Sequence, residues 1–111
     1  MAFTIVQYKK FVQVAVATAQ TTQYTVPASR QDAIKAFDVA NTTGSSINFT
    51  MNLVPSGGTA GTGNQILSSV AIPANQTLHW TGTQVMEAGD FISTAASATG
   101  LTLTCSGLES Q

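Results

Sequence analysis

The chain has 111 residues, 43% hydrophobic and only 8% charged, with a formal net charge of -1. That length suits one domain, and that balance excludes charged disorder, which needs low hydrophobicity and high net charge. Four basic side chains are too few for a phosphate-binding surface, and no apolar run is long enough to cross a bilayer, so neither nucleic acid nor membrane is expected as a partner.

The segment Met1–Lys10 places its charges, Lys9 and Lys10, after an apolar stretch. A secretory signal has the opposite order, so the chain is expected to be made in a cytoplasm. Phe3–Tyr8 predicts a first strand, and Phe3, Ile5, Tyr8 and Phe11 bracket the basic pair. Two uses fit. Residues 1–10 form either an ordinary strand with solvated lysines, or an arm or edge strand that docks on a partner by β-addition, its lysines meeting a negative patch. On the second view Phe3, Tyr8, Lys9, Lys10 and Phe11 are candidate interface residues.

Val12, Val14 and Val16 alternate, and Gln23–Val26 predicts another strand. Gln31–Val39 suits a helical turn through Ala33, Ile34 and Phe37, but a strand is favoured after about residue 34. Asn41-Thr42-Thr43-Gly44-Ser45 then predicts a turn. The clearest alternation follows: Ile47, Phe49, Met51 and Leu53 fall on one face, and Asn48, Thr50 and Asn52 on the other. Residues 56–63 hold four glycines, which predicts an exposed, flexible loop; it lacks the Lys-Ser or Lys-Thr of a phosphate-binding loop.

Strands are next expected at Ile66–Ile72, Gln76–Trp80, Asp90–Ala96 and Leu101–Cys105. Pro27, Pro55 and Pro73 each follow an apolar run and mark strand ends, since proline has no N–H for a ladder. About eight short strands without a long helix predict a single all-β domain, a β-sandwich of antiparallel strands over residues 1–111.

Reactive chemistry is scarce. The one histidine, His79, and the one cysteine, Cys105, could form a thiol-protease pair with Asp90 or Glu87 orienting the ring. Cys105, however, is in phase with Leu101 and Leu103, which predicts a buried, unreactive thiol. Metal-ligand spacing is absent. No catalytic, metal or cofactor-binding residue is therefore expected. A single cysteine also excludes a disulfide within the chain. Trp80 suits a core plug or, as a further candidate interface residue, an anchor; with Tyr24 it could also offer a stacking surface to sugar rings.

Several runs resemble small virion proteins of tailed phages: Asp38-Val39-Ala40-Asn41-Thr42-Thr43-Gly44, Leu53-Val54-Pro55-Ser56-Gly57-Gly58, Ala71-Ile72-Pro73-Ala74-Asn75-Gln76-Thr77, Glu87-Ala88-Gly89-Asp90-Phe91-Ile92 and Cys105-Ser106-Gly107-Leu108-Glu109. Together they span about residues 36–109. Within that group the chain is most similar to the capsid decoration, cement or staple proteins of short-tailed, epsilon15-like phages. The resemblance implies a jelly-roll-like sandwich on the capsid exterior, a homodimer or other homo-oligomer. Its implied partner is a major capsid protein of HK97 type, whose neighbouring subunits it staples. It carries over no contact residues. A tail, neck or fibre component and a carbohydrate-binding module are the competing expectations.

Overall fold

The computed structural model describes residues 5–110, which form eight β-strands and no α-helix. They are β1 (Val6–Ala15), β2 (Thr21–Thr25), β3 (Gln31–Asn41), β4 (Ile47–Val54), β5 (Gln65–Ile72), β6 (Thr77–Met86), β7 (Phe91–Ala96) and β8 (Leu101–Ser110). Pairing is nested and antiparallel: β1 with β8, β2 with β7, β3 with β6, β4 with β5. The chain thus makes one long hairpin whose bend lies between β4 and β5. Rolling that hairpin adds the β3–β8 and β4–β7 ladders. It leaves two four-stranded sheets, A in the order β1-β8-β3-β6 and B in the order β2-β7-β4-β5. This is the strand order of a jelly roll, as the phage resemblance implied.

Alternation drives the closure, because each sheet has one apolar face to remove from water. Across sheet A the inward residues line up in register. Val12 faces Cys105, Cys105 faces Phe37, and Phe37 faces Trp80, with Val14, Leu103, Val39 and Leu78 forming the next row. Sheet B answers with Ile47, Phe49, Met51, Ile72 and Ile92, all buried. Phe37 and Trp80 stack with centroids 5.1 Å apart.

The strands run longer than the apolar alternation alone predicts. Phe3–Tyr8 and Val12–Val16 are largely one strand, β1; Phe3 itself lies outside the described residues. Gln31–Val39 is strand from its first residue, because Asp32 and Ile34 point inward at strand spacing. Beyond Trp80, β6 continues through Thr81-Gly82-Thr83-Gln84 on the strength of its ladder to β3. Beyond Cys105, β8 continues with Gly107 and Glu109 inward.

A line of bulges crosses sheet A at one level. β8 runs straight, while β1 inserts Phe11 opposite the Ser106–Cys105 step and β3 inserts Lys35 opposite Gly107–Ser106. β6 carries one residue more again, spanning Thr81 to Gln84 against Ala36 to Ile34. Bulged strands bend and twist more strongly. Phe11 and Val12, adjacent in sequence, are consequently both buried.

The glycine-rich connection lies over the outer face of sheet B. Asn52 Nδ2 donates to Gly61 O at 2.9 Å and to Asn64 Oδ1 at 2.7 Å, and a short 3-10 turn spans Thr62–Asn64. Asn52, expected on a solvent face, is buried by this cover together with Gln20. At the opposite turn, buried Asn41 donates to Ser45 O at 2.8 Å and Ile72 O at 2.9 Å and accepts from the Thr43 N–H at 2.9 Å.

Gly107 is the tightest point of the bulge line. A Cβ there would overlap the Ala33 carbonyl oxygen and lie 3.0 Å from Lys35 N, whereas one at Gly44 meets nothing within 4 Å. Gly107→Ala is therefore expected to lower the thermal midpoint by on the order of 10 °C, from an overpacking cost of about 2–3 kcal/mol. Gly44→Ala is expected to leave it nearly unchanged, both being read by thermal unfolding followed by circular dichroism.

Candidate functional site

Beyond the bulge line, toward Met86 and Ser110, sheet A mixes its polarity: Asp32 and Glu109 face in beside the buried Ile34 and Met86, and a row of apolar groups faces out. Glu109 and Asp32 are opposed in register on β8 and β3. Both point between the sheets, 2% and 1% exposed. Two cations reach Glu109: Lys9 Nζ at 3.0 Å from Oε2, and Arg30 Nη1 at 2.8 Å from Oε1. Tyr24, from β2 in the other sheet, donates its hydroxyl to Asp32 Oδ2 and lies 3.4 Å from Glu109 Oε2. The Lys9 ammonium sits 5.3 Å from the Tyr24 ring centre, and Phe11 packs on the same ring at 4.9 Å.

Burial pushes the Asp32 carboxyl up to about 6, and the Glu109 carboxylate beside it adds to the rise against the Tyr24 hydroxyl and Lys9. Burial would raise Glu109 as well, but its bonds from Lys9, Asp32 and Arg30 hold it below the usual carboxylate range. Tyr24 is raised by burial first and then by the two carboxyls, so it stays a proton donor. The cluster is a latch: it ties β1, β3 and β8 of one sheet to β2 of the other with charge-assisted hydrogen bonds.

The outer side of the same half-sheet is apolar. Tyr8 faces Leu108, Leu108 faces Ala33, and Ala33 faces Val85, so one row crosses all four strands. Tyr8 is 90% exposed and Val85 55%, with Val6 beside them at 61%. An open depression of about 510 Å³ is lined by Tyr8, Lys9, Lys10, Lys35, Ser106, Gly107 and Leu108.

The structure separates the residues expected to form an interface. Strand alternation sends Lys9 inward to Glu109 and leaves Lys10 outside, where it donates to Gln13 Oε1 at 2.8 Å. Phe11 is buried at its bulge, Tyr8 is exposed, and Phe3 lies outside the described residues. Trp80, on the far edge strand, is half-buried against Phe37 and the core, with Gly82 against its indole. Tyr24 belongs to the latch and offers no stacking surface with Trp80. His79 is exposed on the outer face, paired with Asp38 across the ladder, while Cys105 points inward with its thiol pushed up to about 12 by burial. The two reactive groups thus lie on opposite faces of sheet A.

Asp32, Arg30 and Glu109 were not singled out by sequence reasoning, and Tyr24 was considered only as a stacking surface. The signal was present in part: Glu109 continues the odd-numbered phase of Leu101, Leu103 and Cys105, and Asp32 precedes Ile34 by one strand period.

No family model matches the chain, and no curated protein does. Among solved structures, the chain is similar to one from Bacillus endospore appendages, described as disulfide-linked pili. The TM-score is 0.58 at 13% identity, over 96% of this chain and 88% of that one. A chain of infectious bursal disease virus, Gx strain, superposes at a TM-score of 0.42 and 9% identity, over 96% of this chain and 31% of that one. At these identities the first likeness is one of fold, and the second is too loose to add to it.

The latch sets a pH dependence. Asp32 binds its proton more tightly folded than unfolded, so its contribution is full below its ordinary value of 3.8 and is lost as pH rises to about 6. Glu109 has the opposite sign, contributing above its ordinary 4.5 and losing that as pH falls. Urea unfolding at several pH values is expected to show a loss on the order of 2 kcal/mol between about pH 4 and 6 that Asp32→Asn abolishes. Glu109→Gln is expected to be destabilising across the range, because it strands Lys9 and Arg30.

Proposed function

We propose that the chain is a non-enzymatic structural subunit of a phage virion, which binds the outer surface of the capsid and staples neighbouring major capsid subunits of HK97 type. The observation that carries this reading is the placement of chemistry. The thiol and the densest charge cluster are turned into a jelly roll, and the outer faces are built from hydroxyls, small residues and one apolar row. Such a surface brings little charge desolvation to a protein contact. Many symmetry-related copies add avidity to modest individual affinities. The run of phage-like turn and strand sequences over about residues 36–109 supports the same class.

A second reading stays within structural assemblies. The fold shared with an endospore appendage chain favours a subunit of a fibre or other tail component. This chain could not copy a disulfide-linked design, since its single cysteine is buried. A sugar-binding module is disfavoured, because Phe37 stacks on Trp80.

Titration of the purified protein against empty capsids tests the proposal. Saturable binding at a fixed ratio to the major capsid protein is expected. Absence of binding would leave the fibre reading in its place, and glycan binding that Trp80→Ala abolishes would replace both.

A further inference from the structure

We propose that the outer face of sheet A, on the side of the bulge line that carries Tyr8 and Val85, is the docking surface for an acidic, extended segment of a neighbouring subunit. Its apolar side chains cover Tyr8, Leu108, Ala33 and Val85, and its carboxylates meet Lys10 and Lys35. This rests on the reading that the chain acts by binding other subunits, and it names the surface and the partner's chemistry.

The row Tyr8–Leu108–Ala33–Val85 spans three inter-strand steps, about 14 Å, within reach of an extended segment of a few residues. Two depressions meet at Leu108. One of about 510 Å³ opens toward Lys10 and Lys35, and one of about 120 Å³, which Asp32 also lines, toward Val6 and Val85. The larger is lined by lysines and by no carboxylate. Lys10 and Lys35 bond only neutral groups among the described residues, Gln13 Oε1 at 2.8 Å and Thr83 Oγ1 at 2.7 Å. Of the chain's own carboxylates, Asp32 and Glu109 are engaged in the latch, Asp38 with His79, and Asp90 accepts from the Ser56 and Glu87 N–H groups, while Glu87 lies in the turn after β6 and lines neither depression.

Charge complementarity therefore calls for acid, and the row calls for apolar contacts at alternate positions. A second copy meeting this face symmetrically would bring lysines against lysines. A bare phosphate would leave the apolar row uncovered.

The test uses the intact, isotope-labelled protein and a short capped peptide alternating glutamate and leucine, titrated by amide chemical shift. Shifts are expected around Tyr8, Ala33 and Leu108, weakening as salt rises. The Lys10→Glu/Lys35→Glu variant is expected to lower the affinity about tenfold without unfolding, since both side chains point to solvent. A peptide with lysine in place of glutamate is expected to give no such shifts. Equal binding of the lysine peptide, or shifts confined to β2 and β5, would overturn the proposal. So would dilution-dependent shifts at this face without peptide, which would assign it to a second copy. A protein that saturates capsids yet shows no peptide shifts here keeps the structural role and loses this surface. One that shows the shifts but ignores capsids loses the capsid role alone.

Discussion

The bulge line across sheet A is the constraint on which the rest depends. β8 passes through it without interruption, while its neighbours each insert residues at the level of Gly107. On one side the sheet follows the ordinary rule, with Val12, Cys105, Phe37 and Trp80 inside and Thr104, Asp38 and His79 outside. On the other, inward positions add Glu109 and Asp32 to the buried Ile34 and Met86, and outward positions hold Tyr8, Leu108 and Val85. Each inserted residue changes the phase of its own strand, which keeps Phe37 and Ile34 of β3, an odd and an even position, on the same inner face.

The inner side of that half shows where a chain so poor in ions places them. Four of its charges, on Lys9, Arg30, Asp32 and Glu109, meet in one place between the sheets. A carboxylate as buried as Glu109 is tolerable only when paired and hydrogen-bonded, and two cations provide this. The latch also packs: Tyr24 covers Phe11 with its ring and reaches Asp32 with its hydroxyl. Tyr8 and Val85, exposed on the outer side of the same half, remain available to other molecules.

Much of the architecture was legible from side-chain spacing. Ile47–Leu53 and Leu101–Cys105 announce their inner faces without ambiguity, and the turn at Asn41–Ser45 falls where its residues say. The strand extensions were not legible, because Thr81–Gln84 and Ser106–Ser110 lack an apolar alternation and are strands through ladder bonds to partners distant in sequence. The bulges were hidden for the same reason, and with them the opposite fates of Lys9 and Lys10. Adjacent lysines look like one basic patch until the strand that carries them is placed. The latch was hidden by sequence distance, since Lys9 and Glu109 sit in the first and last strands. Family resemblance supplied the jelly roll, which spacing alone left as a sandwich of unspecified order.

The nested pairing has a consequence for how the molecule is made. β1 finds its ladder only on β8, so of the described strands the earliest made waits for the latest. β3 and β6 can pair before β8 exists, but β1 cannot, and the ladders of sheet A close long loops. Such topologies fold slowly. Until then β1 is an unpaired strand bearing Val6, Phe11 and Val12, and its two lysines oppose edge-to-edge association.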